Sequence, residues 1–154
     1  MATKQQQALS ATTSAAAVQA LAPLELRLTG KRRSVLAALE HSPRPLTVEE
    51  VVAASGVPTS TAYRNLAELV EAGVVVRVSG VGGGDRHELA EQLSNHHHHH
   101  LVCMGCGMVT DFDPSPQLEK LIDREIDALL ATSGFEITHH VFDVRGRCRD
   151  CSHT

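Results

Sequence analysis

The chain has 154 residues, a formal net charge of −4, ten histidines and four cysteines, and this length suits one domain or two small ones. No apolar run approaches membrane-spanning length, and the N-terminal residues lack the charged and apolar regions of a signal peptide, so we expect neither a membrane protein nor a secreted one. With one tyrosine, three phenylalanines and no tryptophan, the core must be built from aliphatic side chains.

Residues 1–22 are rich in Ala, Gln, Ser and Thr, a composition that predicts a disordered tail. Four cations then fall within seven residues: Arg27, Lys31, Arg32 and Arg33. Such a cluster can bind nucleic acid even in a net-acidic protein, although by itself it also fits a solvated helix face. The acidic excess lies in residues 93–154, where bound cations would offset it.

Residues 23–92 have the pattern of a helix-turn-helix. Thr29 can cap a first helix, and Thr47 with Glu50 forms a capping box at the start of a second. A glycine-containing turn leads to a third helix over residues 59–72. In this motif the last helix enters the major groove of DNA. The polar side chains near its start are Ser60, Thr61, Tyr63, Arg64 and Asn65.

A β-hairpin is predicted next, with strands over residues 74–78 and 86–89 and a glycine-rich tip between them. The hairpin makes the domain a winged helix. This fold binds double-stranded DNA, and it also serves as a protein-binding module. We therefore expect an α+β protein that begins, after the tail, with a winged-helix domain and hinge over residues 23–92.

The four cysteines form two Cys-x-x-Cys pairs, Cys103 with Cys106 and Cys148 with Cys151. Each pair can supply two soft ligands from a tight turn, so the spacing predicts one tetrahedral zinc site. Two disulfides or buried thiols are the alternatives, and a reducing compartment disfavours the disulfides. Gly105 suits a turn whose backbone passes close to a metal.

Five consecutive histidines, residues 96–100, run into the first cysteine pair. Because no helical period surrounds them, we predict that the run leads into a strand. Strand side chains alternate between two faces. The alternation puts His96, His98 and His100 on one face, and His97 and His99 on the other. One run can then serve two metal sites; a merely solvated histidine tract is the alternative.

The C-terminal part predicts a helix and a strand. Ser115 and Pro116 suit the start of a helix that ends at Gly134. Its apolar stripe consists of Leu118, Leu121, Ile122, Ile126, Leu129 and Leu130. Residues 135–144 then read as a strand, in which His139 lies on the apolar face as a core or interface residue. His140 lies on the opposite face and is the better candidate ligand.

The motifs TSTAYRNL, RHEL, HHHHHLVCMGCG, VTDF and CRDC, in this order over about residues 25–151, resemble those of the ferric uptake regulator family of metal-sensing repressors. The resemblance implies a cytoplasmic homodimer in which the winged helix precedes a small α/β dimerisation domain, residues 93–154. It implies a metal-dependent repressor that binds a DNA operator. It implies no enzyme activity, small-molecule substrate or membrane partner.

The resemblance also implies the site residues. The structural zinc site matches Cys103, Cys106, Cys148 and Cys151. The sensory site at the hinge between the domains matches Glu88, His98, His100 and Asp111. An additional site in the dimerisation domain matches His97, His99, Glu119 and His140. The recognition-helix pair matches Tyr63 and Arg64, and the basic N-terminal positions match Arg27 and Arg32.

The chain departs from the family pattern around the sensory set. Pro45 stands where many iron-type members have a histidine, with His41 four residues earlier. His87 replaces a usual aromatic residue and is a further candidate ligand. Iron-type members often have HHHDH, whereas this run is unbroken at His99.

We therefore expect Zn²⁺ as the sensed metal and a zinc-activated repressor of zinc-uptake genes. The alternatives within the family are Fe²⁺, Mn²⁺ or Ni²⁺, since imidazole suits several of these metals. Outside the family, a zinc-dependent hydrolase or a metal storage or chaperone protein would use similar donors. The sequence has no H-E-x-x-H motif, and neither function would explain a helix-turn-helix.

Overall fold

The computed structural model of the protein describes residues 8–94 and 97–152. Its first part contains the helices α1 (Ala11–Leu21), α2 (Gly30–Glu40), α3 (Val48–Ser55) and α4 (Thr59–Glu71). The predicted caps are present: the Thr29 side chain accepts the N–H of Arg32, and Thr47 and Glu50 form the capping box. Gly56, with φ 70°, ends α3 in the left-handed conformation and turns the chain into α4.

Helix α1 occupies half of the segment that composition predicted to be a disordered tail, and that prediction is wrong for Ala11–Leu21. Ala17 and Leu21 are fully buried in the same core as α2 and α4, so a narrow apolar face anchors the helix. The Ser10 side chain caps its first turn, and the Ser10 hydroxyl also donates 2.6 Å to the carboxylate of Glu40 on α2. Composition alone missed α1 because an isolated helix of 11 residues is marginal even when it is rich in alanine, and the tertiary packing that stabilises this one leaves no local pattern.

The wing is a two-stranded antiparallel sheet of β1 (Val75–Val78) and β2 (Arg86–Leu89), as predicted. Its inner face completes a core that also takes side chains from α1 to α4. An isolated bridge between Leu46 and His87 ties β2 to the loop before α3. The wing is therefore fixed to the helix-turn-helix by backbone hydrogen bonds as well as by packing.

The second part contains α5 (Glu91–Ser94), β3 (His99–Cys103), β4 (Val109–Phe112), α6 (Pro116–Ser133), β5 (Asp143–Gly146) and α7 (Arg149–Ser152). The three strands form one sheet in the order β4-β3-β5, with β4 antiparallel and β5 parallel to β3. The predicted strand over residues 135–144 is mostly irregular, and the strand itself begins only at Asp143. Alternating apolar residues extended that prediction too far toward the N-terminus.

Helix α6 begins as predicted, with the Ser115 side chain as its cap and Pro116 in its first turn, and Gly134 ends it with φ 64°. Its apolar stripe, however, is only partly covered: Leu118, Leu121 and Leu129 are exposed, Leu129 by 60%, whereas the other three members are half-buried. Phe135, Val141 and Val144 are exposed as well. No helix among the described residues is long and apolar enough to cross a membrane.

Candidate metal centres and DNA-binding face

The four cysteines come together between β3 and α7. One sulfur from each of Cys103, Cys106, Cys148 and Cys151 lies within 4.8 Å of the others. The sulfurs of Cys106 and Cys148 are 3.8 Å apart, far beyond the roughly 2.05 Å of a disulfide bond. The four thiols are free, so the arrangement fits the predicted zinc site and not two disulfides.

The loop from Cys103 to Cys106, here called the knuckle loop, lies close to the turn that carries Cys148 and Cys151. A Cβ on Gly105 would lie 2.9 Å from both the Cβ and the sulfur of Cys151. The Cys103 sulfur accepts N–H groups from Cys148 at 3.2 Å and from Gly105 at 3.4 Å, and these bonds lower the pKa of Cys103 to about 6. Hydrogen bonds that the Cys151 thiol donates to the sulfurs of Cys148, Cys106 and Cys103 raise its own pKa to about 12. Four clustered sulfurs can ionise together only beside a cation.

A second set joins the wing to the C-terminal sheet. Glu88 projects from β2 and contacts two histidines: its Oε2 lies 3.0 Å from Nε2 of His98, and its Oε1 lies 3.1 Å from Nε2 of His100. Asp111, which pairs with His100 across β3 and β4, completes the group. One ligand atom from each of the four lies within 4.8 Å of the others, so the predicted sensory residues are brought together.

Contacts within this set favour an ionised Glu88 and a protonated His100. Burial opposes ionisation of Glu88, but hydrogen bonds with His100 and His98 outweigh it and lower the pKa of the carboxyl. Burial also opposes protonation of His100, while Glu88 and then Asp143 raise its pKa. Two buried imidazoles and two carboxylates form a donor set that suits a divalent transition metal.

A third set lies on the other face of the histidine run. Glu119 of α6 is the hub: its Oε1 lies 2.9 Å from Nε2 of His97 and 2.8 Å from Nε2 of His140, and its Oε2 lies 3.3 Å from Nε2 of His99. The four predicted residues again offer ligand atoms within 4.8 Å of one another. The alternation therefore holds for His97 to His100, although β3 itself starts at His99; His96 lies outside the described residues.

The further candidate ligands lie elsewhere. His87 is buried on the face of β2 opposite to Glu88, beside Leu89, and burial lowers its pKa. Strand alternation thus removes His87 from the sensory set. His41 ends α2, with its Nδ1 2.9 Å from the carbonyl of Ala37. His139, predicted as a core or interface residue, is exposed in this chain.

The start of α4 presents a polar surface. Ser60, Tyr63 and Arg64 are exposed, Tyr63 by 54%, as base-reading side chains require. Thr61, in contrast, is buried, and so is Asn65. The predicted DNA contact of Thr61 is therefore wrong, because its position on the helix faces the core.

Arg32 also departs from its predicted role. Its side chain is buried, ion-pairs with Glu68 of α4 and donates to the carbonyl of Arg27. The guanidinium therefore fastens α2 to the recognition helix and is not available to a phosphate. Arg27 is exposed, as a contact with a phosphate would require.

Sequence reasoning missed two carboxylates beside the histidines. Asp143 of β5 lies 3.3 Å from Nδ1 of His100, and Glu91 of α5 contacts Nδ1 of His97. It also missed Arg86, which donates to the carbonyl of Gly107 at 3.2 Å and to Glu50 at 3.1 Å and so links the knuckle loop to α3. No local motif signals the contacts of Asp143 and Arg86, since they depend on strand register and on a distant loop.

Comparison with known proteins gives consistent results. The sequence profile of the Ferric uptake regulator family matches residues 24–145. A Ferric uptake regulation protein of Campylobacter jejuni is 31% identical over 134 residues, covering 82% of this chain and 80% of its own. A Peroxide-responsive repressor PerR of Staphylococcus saprophyticus is 29% identical over 132 residues, covering 82% of each chain.

Solved structures agree on the fold. The ferric uptake regulator of Vibrio cholerae superposes with a TM-score of 0.64 at 30% identity, covering 84% of this chain and 98% of that one. A zinc uptake regulator complexed with zinc and DNA superposes with a TM-score of 0.53 at 23% identity, covering 94% and 97%. The second likeness is one of fold alone.

Proposed function

Because the chain belongs to the ferric uptake regulator family, whose members are metal-binding transcriptional regulators and not enzymes, we propose that it is a zinc-activated repressor. Zn²⁺ bound at Glu88, His98, His100 and Asp111 would raise its affinity for the operator. The observation that carries the proposal is the contact of Glu88, on the wing, with His98 and His100 beside the C-terminal sheet. Ligands from two parts of the molecule can bind one ion in only one relative arrangement of those parts.

The consequence for DNA binding follows from this linkage. A divalent ion would supply a multidentate bridge between β2 and the sheet, and it would select the arrangement of the winged helix that fits the operator. To convert a 1:99 population into 99:1, metal binding must favour that arrangement by about 5.5 kcal/mol.

The choice of zinc is supported by the number of donors within reach. The four grouped ligand atoms match the four-coordinate preference of Zn²⁺. His87 faces away from the set, and His41 of the α2 C-terminus is not among the grouped ligand atoms, so neither is placed to provide the additional ligand that a five- or six-coordinate ion would use. Iron remains the alternative, because the similar proteins of known name include a Ferric uptake regulation protein.

The proposal also assigns the remaining surfaces. Ser60, Tyr63 and Arg64 would read the operator in the major groove, with Arg27 contacting phosphate. The cysteine cluster fits a structural zinc site. The uncovered apolar side chains of α6 and β5 would form the interface of a homodimer, so that two recognition helices face successive major grooves.

The test is operator binding by full-length protein whose sensory set has been emptied while the cysteine zinc is kept. An operator is first selected from random-sequence duplexes with metal-loaded protein. The emptied protein is then titrated separately with buffered Zn²⁺, anaerobic Fe²⁺ and Mn²⁺. We expect zinc to restore binding at the lowest free concentration. Restoration by iron or manganese with none by zinc would contradict the zinc assignment, and no restoration by any metal would contradict the sensor function.

A further inference from the structure

Neighbouring histidines on β3 have their second ring nitrogens in opposite chemical environments. Nδ1 of His100 faces Oδ1 of Asp143 at 3.3 Å. Nδ1 of His99 instead faces the backbone N–H of Phe142 at 3.1 Å. Both partners come from the same short stretch, because the parallel register pairs His100 directly with Asp143 and the N–H of His100 bonds to the carbonyl of Phe142 at 3.0 Å.

These partners fix where each ring carries its hydrogen. An ionised carboxylate only accepts, so Nδ1 of His100 must donate a hydrogen to Asp143, and without a metal Nε2 of His100 carries one toward Glu88 as well. A backbone N–H only donates, so Nδ1 of His99 must keep its lone pair and its hydrogen must be on Nε2. A metal-binding imidazole normally ligates through one nitrogen and donates the hydrogen on the other to a carboxylate or carbonyl. His100 is arranged in this way, and His99 is arranged in the opposite way.

We propose that Asp143 is a positioning residue that keeps a hydrogen on Nδ1 of His100, the arrangement in which Nε2 can ligate a metal. The N–H of Phe142 instead keeps the hydrogen of His99 on Nε2, the nitrogen that a metal would need. The inference rests on the proposed function for its metal, but its tautomers are a property of the chain. Asp143 is not a ligand of the same ion, because it contacts Nδ1 whereas Glu88 and the rest of the set gather at Nε2. The two ring nitrogens point in divergent directions.

The proposal has a consequence for the order in which the two histidine sets fill. Metal binding at the sensory set would release the hydrogen on Nε2 of His100 to solvent as a proton and would leave the Asp143 hydrogen bond intact. At the second set a metal on Nε2 of His99 requires the hydrogen to move to Nδ1, where it meets the N–H of Phe142. That hydrogen bond must break, so the sensory set fills at a lower free zinc concentration than the set around Glu119.

The direct test is nitrogen-15 NMR of the histidine rings in full-length protein with both histidine sets emptied. Ring nitrogens that carry hydrogen have chemical shifts distinct from those with a free lone pair, and the His99→Gln and His100→Gln variants assign the signals. We expect Nδ1 of His100 to carry hydrogen and Nδ1 of His99 not to. Finding the same state for both Nδ1 atoms, or the reverse assignment, would overturn the proposal whether or not metal controls DNA binding.

A second measurement tests the role of Asp143 in binding. In Asp143→Asn we expect zinc affinity of the sensory set, measured by competition with a chelator, to fall by about 10- to 100-fold. Asp123→Asn, which removes an equal charge from the exposed face of α6, should change it little. Equal affinities in the two variants would refute a positioning role. Loss of zinc with the His100 tautomer unchanged would show instead that Asp143 acts as a ligand.

Discussion

Gly105 lies where the two Cys-x-x-Cys turns come closest together. A methyl group there would meet the side chain of Cys151 at 2.9 Å, a distance that a sulfur fixed by three neighbouring thiols cannot relieve by rotating away. The sequence was sufficient to predict this cluster, because Cys-x-x-Cys spacing is a local property of the chain.

Gly105→Ala is therefore expected to weaken zinc retention by the cysteines. Gly146→Ala is the matched control, since a Cβ at Gly146 of β5 would have nothing within 4 Å. The measurement is the rate of zinc loss to a chromogenic chelator at neutral pH. Comparable rates in the two variants would mean that the knuckle has more room than the geometry shows.

Glu50 gives a residue-scale prediction for pH. The guanidinium of Arg44, then the N–H of Thr47 and the charge of Arg86, lower the pKa of Glu50 to about 2 against the restoring effect of burial. A carboxyl with a lowered folded-state pKa stabilises the fold above its unfolded pKa, about 4.5, and that contribution is lost as the pH falls toward 2. Glu50→Gln should thus lose stability at neutral pH and show a shallower decline between these values.

Urea unfolding at a series of pH values measures this effect. Glu49→Gln, at an exposed position in the same turn of α3, is the control and should follow the unmodified protein. Parallel stability–pH curves for Glu50→Gln and the unmodified protein would contradict a role for the Arg44–Glu50–Arg86 group.

At the scale of elements, α4 combines the surface that we propose to bind DNA with an anchor to the rest of the domain. Tyr63 and Arg64 are exposed on one side, and Glu68 ion-pairs with buried Arg32 of α2 on the other. The pattern of apolar residues predicted the helix and its exposed start. It did not distinguish Arg32 from its exposed neighbours Lys31 and Arg33, because a long cationic side chain is buried only when a distant carboxylate meets it.

Substitutions of Arg64 and Arg32 should consequently affect different properties, operator binding and folding stability. Arg64→Ala should weaken operator binding by about 1–3 kcal/mol if it removes a bidentate guanine contact, with little change in folding stability. Arg32→Ala should lower the free energy of unfolding by about 1–3 kcal/mol because it leaves the Glu68 carboxylate and the Arg27 carbonyl without their donor. Operator titration and chemical unfolding of both variants separate the effects, and a pure DNA-binding defect in Arg32→Ala would contradict the anchoring role.

In the C-terminal part, the sequence predicted which histidines share a face but not how the strands align with one another. Alternation along the histidine run separated His98 and His100 from His97 and His99 correctly, since that periodicity is intrinsic to an extended chain. The contact of Asp143 with His100 depends on how β5 aligns with β3, and the apolar residues before Asp143 suggested a strand that is not formed there. Pairing between distant segments leaves no comparable local pattern.

At the scale of the whole molecule, the C-terminal part buries few apolar side chains within a single chain. Its buried apolar cluster among the described residues joins Val102 and Val109 to Val78 of the wing, whereas Leu118, Leu121 and Leu129 of α6 are exposed to solvent. Contiguous exposed apolar side chains of this kind mark a protein interface. A second copy covering the same face satisfies the isologous symmetry expected of a homodimer.

Leu129→Asp should therefore shift the protein from dimer to monomer at micromolar concentration. Leu129 is 60% exposed in the single chain, so the substitution costs little within one protomer and its effect falls on the interface. Ala131→Asp adds the same charge to the other side of α6 and should leave the dimer intact. Sedimentation equilibrium decides between them, and an unchanged dimer in Leu129→Asp would place the interface elsewhere.

The central claim, that the set around Glu88 and not the set around Glu119 controls DNA binding, is tested most directly by operator affinity in buffered zinc for His98→Ala and His97→Ala. These neighbours belong to opposite faces of one run, so each variant is the control for the other. We predict that His98→Ala loses zinc-dependent operator binding while keeping the cysteine-bound zinc, and that His97→Ala retains most of it. Equal loss in both variants, or full binding by His98→Ala, would contradict the account.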